Sequence, residues 1–209
     1  MNELCAICGV RLGCTRDHVP PKGIFVKPRP SNLITVPACK ECNNDASGLD
    51  EKFLVYLGCH VSFYGEQGGK LFDDRVLRTL GHNKKLKKTI LEGMEKIKLV
   101  NSEGMSLGPA YRGQWDSKAH DKIIERTIRG LYFHHFNEIL GFESEVKVHF
   151  FKKLGELVRV SENWNQYSFG DGQVIYRYAR AEQNGKIKSV WLFQFYGSHW
   201  AGGSTNSKV

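Results

Sequence analysis

Two C-x-x-C pairs, Cys5-Ala6-Ile7-Cys8 and Cys39-Lys40-Glu41-Cys42, bracket the first forty residues of this chain and restrict its fold more than any other feature. Each pair can present two thiolates to one ion, and four thiolates complete a closed tetrahedral zinc site of the structural kind. Gly9 supplies a tight knuckle after the first pair. The gap between the pairs exceeds that of a minimal zinc ribbon, so a hairpin carrying other chemistry fits between two anchored ends. Cys14 and Cys59 fall outside the pattern. They read as a spare thiol and as a small hydrophobe on a helix.

The texture of the chain changes after this stretch. The first 45 residues hold five of the six cysteines and five of the six prolines, and show little helical periodicity. They read as a metal-organised module of turns and short strands, with Asn32 to Pro37 as one strand. A helix carrying Asp50 to Leu57 follows, with Asp50-Glu51 as charge near its N-terminus. Next come a break at Gly65 to Gly69, a basic helical region from Leu71 to Lys98 interrupted near Gly81, and a loop from Asn101 to Gly113. Apolar residues three or four apart predict a long helix from Ser117 to Leu140, capped by Ser117 and stopped by Gly141. Strands are expected at Val146 to Phe151, Val158 to Val160, Val174 to Ala181 and Ile187 to Tyr196. Asn184-Gly185 joins the last two as a hairpin. Gly202 to Val209 reads as a small polar tail. The class is therefore α+β, with one module at 1–60 and a helical and antiparallel-sheet domain at 61–209.

A net charge of +8 and a pI near 9.2 favour a polyanionic partner. The N-terminal residues lack the basic and apolar regions of a signal peptide, and the most apolar stretch, Phe53 to Tyr64, is too short to span a bilayer. The expectation is a cytoplasmic protein without membrane partner, where reduced cysteines bind metal rather than pair as disulfides.

Between the cysteine pairs lies Thr15-Arg16-Asp17-His18-Val19-Pro20-Pro21-Lys22, followed by Asn32-Leu33, with Asn43-Asn44-Asp45 after Cys42. Neutral histidine is a suitable base near pH 7. A carboxylate and an amide oxygen are hard ligands that suit Mg²⁺ or Mn²⁺. Neighbouring residues on a strand point to opposite faces, so Asp17 and His18 serve metal and water separately only if a turn or bulge re-aims one of them.

At these residues the chain resembles the HNH endonucleases, in the branch whose ββα-metal, treble-clef-like motif is framed by two zinc-binding C-x-x-C pairs. The resemblance covers about Cys5 to Glu51, a quarter of the chain. It rests on Asp17-His18-Val19-Pro20, on Asn32-Leu33 opening the second strand, and on Cys39 to Asn43 leading into a helix. It implies metal-dependent hydrolysis of phosphodiester bonds in nucleic acid, most of all DNA. His18 would be the general base, and Asp17 the first ligand of a catalytic Mg²⁺ or Mn²⁺. Asn32 would brace the loop bearing His18, and Asn43 would be the second ligand. Many members have histidine after the final cysteine, so the second ligand is open between Asn43 and Asn44, with Asp45 third. The alternative is a non-catalytic, zinc-dependent nucleic-acid-binding or regulatory protein with an HNH-like module.

Lys84-Lys85-Leu86-Lys87-Lys88 reads equally as a solvated helix face or a phosphate grip. Arg16, Lys22, Lys27, Arg29 and Lys40 lie nearer the expected site and are better placed to hold a scissile strand. His134-His135 reads as core or interface packing, and the aromatic strands with Trp191, Phe193, Phe195, Tyr196 and Trp200 as a sheet core. Residues 61–209 are expected to set targeting, regulation or assembly, as a homo-oligomer or with a partner subunit.

Overall fold

A computed structural model describes residues 3–151 and 156–208. Two short strands, β1 (Thr15–His18) and β2 (Thr35–Ala38), pair antiparallel, with Asp17 opposite Val36 and His18 opposite Thr35. The 22-residue helix α1 (Lys40–Val61) follows at once. Cys39 caps it, its Sγ accepting from the Cys42 N–H at 3.4 Å. Asp50 and Glu51 sit in the middle of α1 rather than at its start, because the helix begins ten residues before Asp50.

Beyond α1, helices α2 (Glu66–Leu71) and α3 (Leu77–His82) are joined by a π-helical turn over Phe72–Val76. Helix α4 (Lys84–Glu92) is capped by Asn83. Met94 to Lys98 is not helical, nor is Ser106 to Gly113 a loop. They lie in β3 (Met94–Val100) and β4 (Ser106–Gly113), a two-stranded antiparallel ribbon. The alternation Glu95-Lys96-Ile97-Lys98-Leu99-Val100 suits a strand once Gly93 has ended α4.

Helix α5 (Ser117–Phe136) starts at Asp116, whose carboxylate accepts from the Ala119 N–H at 3.0 Å. It ends on Asn137 in the left-handed conformation, φ 53°. The helix begins at the expected Ser117, but its cap is Asp116 and not Ser117, and it ends short of the expected Leu140 because a left-handed C-cap at Asn137 stops it before Gly141 can.

The C-terminal part is a five-stranded antiparallel sheet in the order β5 (Glu145–Phe150), β9 (His199–Lys208), β8 (Lys186–Phe195), β7 (Val174–Gln183), β6 (Asn165–Phe169). The Asn184-Gly185 turn has both residues at positive φ and joins β7 to β8. Glu156–Val160 is a short helix, α6, where a strand is expected at Val158 to Val160. The expected tail is mostly strand: Gly202 to Lys208 form most of β9, and Val209 lies outside the described residues. A Cβ at Gly202 would stand 2.3 Å from the Trp191 carbonyl oxygen, so a residue without a side chain lets β9 lie against β8.

The main core draws on both sides of residue 60. Val19, Phe25 and Val36 pack in one cluster with Phe53 and Leu57 of α1, Ile124 and Ile128 of α5, and Tyr176, Trp191 and Phe193 of the sheet. Tyr176 and Trp191 are buried, so these aromatics form a sheet core rather than an open stacking platform. His135 joins it, stacked on Tyr178 at 4.3 Å and 2.8 Å from the Tyr176 hydroxyl. Among the described residues, no helix is long and apolar enough to cross a membrane.

Candidate functional site

The four cysteines meet. The Sγ atoms of Cys5, Cys8, Cys39 and Cys42 all lie within 4.8 Å of one another. Thiolates around one zinc ion stand about 3.8 Å apart at Zn–S distances near 2.3 Å, so the donor set fits a metal such as zinc. The first knuckle is shaped by the backbone: the Gly9 N–H donates to the Cys5 carbonyl at 2.8 Å, and Gly9 takes φ 67°. The Ala6 N–H donates to Pro37 at 2.9 Å and ties the knuckle to β2. Burial and the neighbouring thiol of Cys39 push the Cys42 thiol up. Burial acts the same way on Cys8, but the backbone amides of Arg11 and Val10 and the thiols of Cys5 and Cys42 together outweigh it and bring that thiol down to about 7. Four thiolates at this spacing repel one another unless they share a cation.

β1 runs from this cluster toward the interior. Thr15 and Asp17 share one face of the strand, and Thr15 ties that face to α1. Its hydroxyl donates to the Ala38 carbonyl at 2.8 Å and accepts from the Asn43 side-chain amide at 3.1 Å. Asn43 thus faces β1 from the first turn of α1, while Asn44 and Asp45 are exposed. With the Asn43 amide nitrogen committed to Thr15, its Oδ1 is the donor left for a cation.

Asp17 is 8% exposed, and its carboxylate faces α5. Oδ2 accepts from the Arg126 Nε at 2.7 Å and also from Nη2. Asp50 is held nearby on α1. Burial pushes its carboxyl up to about 7 despite the opposing pull of Arg126, and the charge of Asp17 adds to the rise. Its Oδ1 is buried with no hydrogen-bond partner. Asp17 therefore lies with Asp50 and Arg126, while Asn43 bonds to Thr15; the β1–β2 register is regular, with no bulge to re-aim Asp17 or His18. The helix patterns mark Asp50 and Arg126 each as needing a partner, without naming it. Asp50 lies three, four and seven residues before Phe53, Leu54 and Leu57, and Arg126 three after Ile123. Charged residues on apolar stripes require partners.

His18 ends β1 and is partly buried. Burial lowers its pKa first, Lys22 and Arg29 lower it further, and Asp17 opposes them, so the imidazole is held neutral near pH 7. The loop after it is pinned from three directions. The Val19 N–H donates to Ile34 at 3.1 Å. The Val26 N–H donates to the Gln173 Oε1 at 3.0 Å, and the Tyr196 hydroxyl to the Ile24 carbonyl at 2.6 Å. Asn32 takes a different part from the expected one: its amide donates to the Ser168 carbonyl at 3.1 Å. It ties the loop to β6, and the bond beside His18 is the backbone pair Val19–Ile34. Lys27, Arg29, Asn32, Lys70 and Gln173 line a groove next to this loop. Arg16 is exposed on the outer face, 3.8 Å from Glu3.

A second cluster has no sequence signature. His60, His120 and His199 come from α1, α5 and β9 and pack with Trp115, Phe53 and Phe150. The Nε2 atoms of His120 and His199 stand 3.3 Å apart, and Asp121 lies 2.8 Å from the His120 Nδ1. If His120 donates from Nδ1 to Asp121, its Nε2 accepts from His199, whose buried Nδ1 then has no partner. This is a neutral histidine pair in an aromatic box.

No family model matches the chain, and neither a curated protein nor a solved structure matches it.

Proposed function

We propose that this protein is a zinc-stapled, metal-dependent endonuclease that hydrolyses phosphodiester bonds in nucleic acid, DNA above all, as its likeness to the HNH family implies. One observation supports the reading: beside a four-cysteine cluster, Asn43 of α1 is hydrogen-bonded to Thr15 on β1, the strand that carries Asp17 and His18.

His18 takes a proton from water as the water oxygen attacks phosphorus. The bond from phosphorus to the leaving sugar oxygen breaks, and that oxygen is protonated from solvent. Neutrality at pH 7, enforced by burial and by Lys22 and Arg29, suits His18 to accept that proton. Asp17 and Asn43 would hold a divalent cation, Mg²⁺ or Mn²⁺, which when bound supplies charge stabilisation to the leaving oxygen. Lys22, Lys27 and Arg29 position the strand through its phosphates. Arg126 already neutralises Asp17, so the carboxylate reaches a cation only by sharing its oxygens or releasing the guanidinium.

That same ion pair favours the second reading, a non-catalytic zinc-dependent nucleic-acid-binding protein in which Asp17 and Arg126 are structural. The two readings part on plasmid nicking with Mg²⁺ or Mn²⁺. The nuclease reading expects wild-type nicking and a loss of about 10²- to 10⁴-fold in His18→Ala, with zinc content and melting unchanged. Nicking that survives in His18→Ala would remove His18 as the base. Binding without nicking under either metal would select the second reading.

A further inference from the structure

The β3–β4 ribbon, Met94 to Gly113, contributes no buried residue to the fold. Leu99, Met105, Leu107 and Tyr111 are all large and all exposed, Tyr111 by 67%. A two-stranded ribbon that buries neither face is marginal in water, and exposed apolar groups at this density mark a contact surface.

Its base is nevertheless firm. Leu86 and Ile90 of α4 are buried against Val55 and Val76, and the Gln114 N–H donates to Gly93 at 3.2 Å across the root of the ribbon. Trp115, immediately after, is packed among Tyr56, His120 and His199.

Charge identifies the occupant. Residues 84–113 carry seven Lys and Arg against three Glu, half of the net +8 of the whole chain. Two of the three glutamates are paired locally, Glu92 with Lys88 and Glu95 with Arg112. Lys96 lies opposite Tyr111 and Lys98 opposite Pro109, so the two lysines and the tyrosine share one face. Among the described residues, no ion pair engages Lys96 or Lys98. The exposed Lys84, Lys85, Lys87 and Lys88 of α4 lead directly into the ribbon. A two-stranded ribbon fits the major groove of a duplex, and lysines along it meet phosphates.

The geometry points to the β3–β4 ribbon as an arm that grips a nucleic-acid duplex by its groove, Lys96 and Lys98 contacting phosphates. This rests on the reading of the chain as a nucleic-acid-binding protein, and not on its cleavage chemistry.

The test is binding of a fluorescent 30-base-pair DNA duplex of mixed sequence (about three helical turns) by the full chain, without added divalent cation, over a series of salt concentrations. Each phosphate contact contributes about 0.9 to the slope of log K against log salt. Lys96→Ala/Lys98→Ala lowers that slope by about 1.8. Lys186→Ala/Lys188→Ala removes the same charge from exposed lysines of β8 and leaves the slope unchanged. Equal loss in both pairs would reduce the effect to net charge and overturn the arm. So would an unchanged slope in the first pair, absence of wild-type binding, or displacement of the duplex by polyglutamate at equal charge. A wild type that binds with the expected slope but never nicks removes the nuclease and keeps the arm. Nicking with an unaltered slope in the first pair does the reverse.

Discussion

Arg126 of α5 closes on the Asp17 carboxylate from 109 residues further along the chain, both side chains about nine-tenths buried. Removing one partner of a buried ion pair strands the other charge in a medium that solvates it poorly. Arg126→Met should cost about 3–5 kcal/mol in urea denaturation. The double variant Asp17→Asn/Arg126→Met should lose much less than the two single losses added. Additive losses would show that the two side chains are not coupled.

Gly130 sits where α5 crosses the segment after His18. A Cβ there would stand 2.6 Å from the Val19 Cγ1. Alanine improves helix propensity by about 1 kcal/mol, whereas overpacking a tight contact costs about 1–3 kcal/mol. The clash wins. Gly130→Ala should therefore lower the melting temperature, and Val19→Ala in the same chain should restore part of the loss. A stabilised Gly130→Ala would show that the contact yields freely.

Cys39 has two tasks, as a member of the four-thiol cluster and as the N-cap of α1. Serine keeps the second, being a good N-cap, and loses the first, being a hard, neutral oxygen. Cys39→Ser should reduce bound zinc from about one per chain to near zero and lower thermal stability. Elemental analysis and melting curves check both. Full zinc content in that variant would contradict the four-cysteine site.

The paired histidines make stability depend on acidity. Burial above all, with His120 and His60 adding to it, lowers the pKa of His199 to about 3. An unfolded histidine takes up its proton near pH 6.5. Between those values the unfolded chain holds more protons than the native one, so stability falls as pH drops from about 6.5 toward 3. Above about 6.5 the contribution is complete and constant. Urea midpoints from pH 7.5 to 4 should fall steeply in the wild type and less so in His199→Phe. Parallel curves would assign the acid loss to other groups.

What the sequence made legible follows the range of its signals. The cysteine pairs, the apolar stripe of α5 and the Asn184-Gly185 turn act over a few residues, and the structure agrees with each. Met94 to Lys98 was obscured because lysine-rich text reads as helix until Gly93 is given weight. Val158 to Val160 is β-branched in two of three positions, yet forms one turn of helix leading into the tight turn at Ser161–Asn163. Gly202 and Gly203 looked like slack; they are glycines because β8 on one side and β5 and α5 on the other leave no room for a side chain. For the candidate site, spacing made the four-cysteine cluster readable and placed Asn43 in the first turn of α1, where it bonds to Thr15. Arg126 and the tether from Asn32 to Ser168 were not readable, since each is a contact across more than a hundred residues.

The loop between β1 and β2 takes its shape from Gln173, Ser168 and Tyr196, residues of the distant sheet and of the turns at its strand ends. The first sixty residues are consequently not a cassette. Cut away after Val61, they would keep their cysteines and lose the surface against which Val26 and Ile24 are fixed. Grafted onto another scaffold, they would carry metal without a defined loop. Exchange of such a unit between proteins by recombination would have to bring the sheet with it.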